Sequence, residues 1–200
     1  KWKHCISIPF SEKNVQIACD KEDGIIFIAS DKYIYKYNIK SDQIEKMEVK
    51  KGQPYKAGGS QLIYDRVKHR LISYSILNDS LIFFNFNNGE WPNHPTEKLA
   101  VIQQHNRFVD PVTNTLVVFG GYGNHTYNAE LAIHDLDGCK WKIDTISSLL
   151  SPRYLSSIGN MGNGKFLLMG GYGSVSGKQE EFPKNLHDLY LIDYRNLSCH

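Results

Sequence analysis

Two hundred residues suffice for one large or two small domains. Apolar residues make up 41% and charged residues 22%. The net charge of +2 comes from 23 basic and 21 acidic residues interspersed along the chain, which excludes a basic stripe for nucleic acid. No apolar run approaches the roughly 18 residues that span a bilayer, and no basic-then-apolar segment opens the chain.

The 12 Tyr, 9 Phe and 16 Gly favour strands joined by tight turns. The chain opens Lys1-Trp2-Lys3, and Trp2 is placed on a strand; the lack of an initiator Met is read as a removed leader or an excerpt from a longer protein. Cys19 to Ser30 then reads as strand, polar turn, strand. Tyr33 to Gln43 follows as an alternating strand ending in a short polar turn. The same two signatures return at Tyr64 to Ser75 with Ser80 to Glu90, at Val109 to Gly121 with Leu131 to Trp141, and at Gly159 to Gly171 with Asp188 to Ser198. Aligning Asp20, Asp65, Asp110 and Asn160 gives spacings of 45, 45 and 50 residues, and Ile26, Leu71, Leu116 and Phe166 follow at the same spacings. An Asx side chain suits such a turn because it bonds its own backbone. Trp91 and Trp141 follow their turns 50 residues apart, and Lys46-Met47 stands where the second repeat should carry a Trp.

A period near 45 residues with four short strands per unit predicts an all-β chain, a β-propeller of four antiparallel blades. The strands of each repeat run in the order d, a, b, c, over residues of about 1–45, 46–90, 91–140 and 141–200 of a single region. The runs Ile25 to Ile28, Leu116 to Phe119 and Phe166 to Met169 are continuously apolar, as expected of strands buried on both faces. Gly120-Gly121 and Gly170-Gly171 are read as structural, allowing positive φ and close backbone approach; Trp91 and Trp141 are read as packing residues.

Gly120-Gly121, Gly170-Gly171, Trp141 and the Pro152-Arg153 opening resemble the Kelch repeat. Repeats three and four carry these motifs, whereas repeats one and two match in period and strand pattern alone, with Ala29-Ser30 and Tyr74-Ser75 in place of the double Gly. The resemblance implies a propeller of six or seven blades, so that the four here form part of a larger ring.

The b–c connections are bare hairpins at Asp31-Lys32 and Asn78-Asp79, but long at Gly121 to Glu130 and Gly171 to Asn185. Together with the d–a connections they are expected to gather Tyr122, Asn124, His125, Tyr127, Tyr172, Lys178, Arg107, His105 and Arg153 as a binding face. For Arg153, bracing of the loops is the competing reading. The expected function is non-catalytic binding of a protein or carbohydrate, with no cofactor and no metal. The alternative is a carbohydrate-active enzyme, a sugar mutarotase or a copper oxidase of the galactose-oxidase type, on the same face. Against it, the eight His show no HxH or HxxxH pair and no GxSxG motif is present. Cys5, Cys19, Cys139 and Cys199 form no CxxC pair and are read as buried free thiols on strands. The sequons at Asn78, Asn124 and Asn196 are about what chance gives in a chain this rich in Asn.

Overall fold

The structure, a computed structural model, describes residue 7 and residues 12–55, 61–75, 80–93, 102–138, 141–146 and 150–199. The readings placed on Trp2, Cys5, His4, His94, His200, Cys139 and the Asn78-Asp79 hairpin fall outside these residues. Among the described residues the chain is all-β, without helices, so no helix is long and apolar enough to cross a membrane. It divides into two compact units, residues 1–97 and 98–200.

The first unit holds two antiparallel meanders. Strands β1 (Gln16–Asp20), β2 (Ile25–Ala29), β3 (Tyr33–Asn38) and β4 (Gln43–Glu48) pair in sequence order. Strands β5 (Gln61–Asp65), β6 (Arg70–Ser75) and β7 (Ser80–Phe83) form a second sheet, and beyond β7 the described chain makes the isolated bridges Asn85–Glu90 and Lys51–Glu90. Apolar side chains from both sheets, among them Phe27, Ala29, Ile34, Leu62, Leu71 and Ile82, share one core with Tyr55 and Trp91.

The second unit repeats the plan. Its first sheet comprises β8 (Asn106–Asp110), β9 (Thr115–Phe119), β12 (Glu130–Asp135) and β13 (Trp141–Thr145). Between β9 and β12 lies the two-residue hairpin β10 (Tyr122–Gly123) and β11 (Thr126–Tyr127). After β14 (Arg153–Tyr154) comes the last meander, β15 (Ser157–Gly162), β16 (Lys165–Met169), β19 (Leu189–Asp193) and β20 (Ser198–Cys199). Within its long connection, β17 (Tyr172–Gly173) and β18 (Lys184–Asn185) join β14 in a three-stranded sheet ordered β14-β17-β18. Val117, Phe119 and Leu131 pack with Phe166, Leu168 and Ile192 in the core of this unit.

The turns explain why the ladder recurs. Asp20, Asp65, Asp110 and Asn160 each accept a backbone N–H two residues on, at 3.2, 3.0, 3.0 and 2.8 Å, as an Asx turn requires. Asn38, Asn85, Asp135 and Asp193 do the same at the next turn, at 2.9, 2.9, 2.9 and 3.0 Å. Each hairpin is thus closed by a side chain local to its own turn.

Two details differ from the sequence reading. β4 pairs with β3 and β13 with β12, so the sheets run a, b, c, d and are offset by one strand from the d, a, b, c repeat. The ladder also sets Trp141 opposite His134 and Ile44 opposite Tyr37, each partner lying one residue before its Asx turn. Ile44, not Lys46 or Met47, therefore takes the Trp position. Cys19 and Cys199 are free thiols on strands, but neither is buried as expected: Cys19 is exposed and Cys199 half-buried.

Candidate functional site

The uneven b–c connections become the chief irregularity of the second unit. Asn124 and His125 take φ of 49° and 60°, the pair of left-handed residues that a tight hairpin turn needs, and both are exposed. This hairpin is stitched to the long connection of the last sheet. Tyr127 N–H donates to Gly177 O at 2.7 Å and Gln179 N–H to His125 O at 3.1 Å. At its base Gly121 N–H donates to Arg153 O, and Arg153 N–H to Asn128 O, each at 2.9 Å. Gly121 has φ of 112°, and a Cβ there would lie 2.6 Å from Ile102 Cγ2. Gly171 has φ of 105°, and its Cβ would lie 2.8 Å from Tyr154 O. These glycines permit the approach that brings the connections together.

Four tyrosines meet where the two pieces join. Tyr122 lies 5.4 Å from Tyr127 and 5.3 Å from Tyr154, centroid to centroid; Tyr127 stacks on Tyr154 at 5.7 Å. Tyr172 closes the group edge-on to both, at 6.0 and 6.1 Å. Tyr127 is buried at the centre, while Tyr122, Tyr154 and Tyr172 are half-buried. Burial, with the neighbouring phenols Tyr172, Tyr154 and Tyr122 behind it, pushes the Tyr127 hydroxyl above its usual pKa. Tyr122 donates its hydroxyl hydrogen to Gln179 Oε1, which fixes the ring. The chemistry offered is an ordered, partly exposed cluster of aromatic rings.

Tyr122, Tyr127 and Tyr172 were expected on this face, and Asn124, His125 and Lys178 lie beside them on the same connections. Two other expected contacts sit inside. Arg153 is fully buried: its guanidinium holds Asp188 at 2.5 and 2.9 Å, Gly170 O at 3.0 Å and Ser151 O at 2.9 Å. It therefore braces β14 to the long connection rather than facing a ligand. His105 is buried as well, and its pKa is driven down to about 4, chiefly by burial and then by Arg107. It is neutral at physiological pH and supports the hairpin from behind Gly121. Arg107 is half-buried on β8.

Among the residues placed as structural, Gly120 and Gly170 take φ of 69° and 60°. Trp91 is buried beside Phe84, and Trp141 packs edge-on to His134 at 5.0 Å.

Tyr154, Gly173, Gln179 and Asp188 complete the site without having been singled out. Tyr154 directly follows Pro152-Arg153, and Gly173 sits in the GGYG run; a Cβ at Gly173 would fall 1.9 Å from Pro152 O. Among the described residues, no three His, Cys, Asp or Glu side chains gather as a metal site. No protein-family model matches the chain, and no curated protein matches it.

Proposed function

We propose that the four sheets are blades of a Kelch-type β-propeller, part of a larger ring, whose b–c loop face binds a protein or carbohydrate ligand without catalysis. The observation that carries the binding reading is the four-tyrosine surface, held by backbone hydrogen bonds between two separate connections. A rigid aromatic surface costs little conformational entropy on binding, and Tyr is enriched at binding hot spots. Support for the ring comes from the last sheet. Met169 and Leu189 stand 56% and 61% exposed, where their ladder counterparts Phe119 and Leu131 are fully buried in the core shared with the next sheet. An apolar sheet face of this kind is normally covered.

The enzyme reading gains less. Glu181, a carboxylate near the site, is bonded to Lys178 at 2.8 Å, and its pKa is held below the usual range by Lys178 and Ser176. A carboxylate held ionised in this way is a poor general acid.

A glycan array and a protein-binding screen on the intact chain test the proposal. Any ligand of the loop face is expected to lose about tenfold or more affinity in Tyr154→Ala. The same ligand should be unaffected by Val112→Ala, in the β8–β9 turn at the far end of the sheet. Equal binding by Tyr154→Ala and the unsubstituted chain would remove the site, and turnover of a bound sugar would replace binding with catalysis.

A further inference from the structure

A second site lies in the first unit, independent of the loop face. Between its two sheets is a hollow of about 270 Å³. Phe27, Tyr64 and Phe86 form an aromatic floor, and Ile34 and Met47 form aliphatic walls. Phe27 and Tyr64 stack at 4.6 Å, and Phe86 lies tilted 6.3 Å from Phe27, so the floor is already ordered. The hollow has a structural origin. Ile34 and Lys36 on β3, with Glu45 and Met47 on β4, line it together with Tyr64 and Phe86, where the described chain beyond β7 is held by the isolated bridges Asn85–Glu90 and Lys51–Glu90 rather than by a fourth strand of the second sheet. In the second unit the position of Lys36 is held by Ile133, opposite Val117 as Lys36 is opposite Phe27, and Ile133 packs into the core.

At the lip Lys36 Nζ lies 3.3 Å from both carboxylate oxygens of Glu45, with the two side chains 38% and 75% exposed. An exposed pair of this sort contributes little to stability and is readily exchanged for other partners. Lys46 also lines the hollow, but its Nζ sits 3.5 Å from the centre of the Tyr33 ring; the Lys36 ammonium and the Glu45 carboxylate, side by side, match a ligand carrying the reversed pair next to an apolar body. The volume falls below the roughly 300–1,000 Å³ of sites for drug-sized ligands, which limits that body to about one ring system. We propose that this hollow binds a free zwitterionic α-amino acid with a large apolar side chain. Its carboxylate meets Lys36, its ammonium meets Glu45, and its side chain lies on Phe27, Tyr64 and Phe86.

The test is isothermal titration of the whole chain with L-phenylalanine, and with 3-phenylpropionate and phenethylamine, which each lack one of the two charges. L-phenylalanine is expected to bind saturably, and each single-charge analogue at least about tenfold more weakly, because each forfeits a charge-assisted contact. Glu45→Gln should bring L-phenylalanine down to the level of 3-phenylpropionate, and Met47→Trp, by filling the hollow, should abolish binding. Glu45 is exposed, so its substitution leaves the fold intact and decides the matter even if Met47→Trp disturbs the core. No saturable signal for L-phenylalanine, equal binding of either analogue, or undiminished binding by Glu45→Gln would each overturn the proposal.

Discussion

In the second unit Asp110, at the Asx turn that opens the first meander, accepts the Tyr194 hydroxyl at 2.8 Å, and Tyr194 also meets Thr113 at 2.9 Å. In the first unit the equivalent carboxylate, Asp20, faces Arg66 at 3.3 Å, and Arg66 is 47% exposed. Phe86, without a hydroxyl, stands where Tyr194 stands, each lying one residue beyond the Asx residue of its turn. Both units use one ladder and one set of turns, yet one sheet pair is closed by a phenol bridge and the other is left with a hollow. The long connections likewise belong to the second unit, while β2 and β3 are joined by Ser30 to Lys32 alone. The lesson is that turn chemistry fixes the meander, and what crosses between meanders is free to vary. Both candidate sites arise from that variation.

The largest way to break this comparison is at Arg153, the brace peculiar to the second unit. Arg153→Met removes a fully buried guanidinium and leaves Asp188 and the carbonyls of Ser151 and Gly170, all half-buried, without their partner. The expected loss is about 3 kcal/mol, read by chemical denaturation. Tyr154, held beside it on β14, should lose its stacking on Tyr127, visible as a change in the near-ultraviolet circular dichroism of the tyrosines. A variant with unchanged stability would show that the guanidinium is dispensable and that the connections are held by backbone alone.

A middle-sized effect is expected at the phenol bridge. Tyr194→Phe removes a hydroxyl from a buried carboxylate and should cost about 1–3 kcal/mol. The pKa of Tyr194 is pushed up to about 12, by burial first and by Asp110 as well. A folded-state pKa above the unfolded value of about 10 means that its contribution is complete below about pH 10 and is lost as pH rises through about 12. The stability difference between the unsubstituted chain and Tyr194→Phe should therefore shrink over that window. A difference that stays constant across it would place the hydroxyl outside the alkaline transition.

Which of these features could be read from the residues follows from their range. The Asx turns and continuous apolar strands are local, so Asp20, Asp65, Asp110 and Asn160 marked the meanders correctly, and the double glycines marked the crowded strand ends. The length of the b–c connections placed Tyr122, Tyr127 and Tyr172 together. Tyr154 escaped because it reaches the cluster through β14, a two-residue strand that pairs only with another connection. Arg153 and His105 carry polar side chains that read as surface groups, and burial, a property of tertiary structure, decided otherwise. The hollow was not legible at all: it depends on which side chains face each other across two sheets.

The smallest expected effect sharpens the comparison at a single position. Lys36→Ile gives the first unit the side-chain type that the second carries at Ile133. The ammonium it removes is exposed and, among the described residues, pairs with exposed Glu45, so the lost ion pair should matter by no more than about 0.5 kcal/mol. The added branched side chain would border the hollow rather than a packed neighbour, so little burial is gained in return. Denaturation midpoints are thus expected to coincide, whereas replacing Ile133 by Lys in the closed pair should destabilise clearly, because that side chain packs against a filled core. If both exchanges proved equally costly, the two sheet pairs would be equally closed and the contrast between them would disappear.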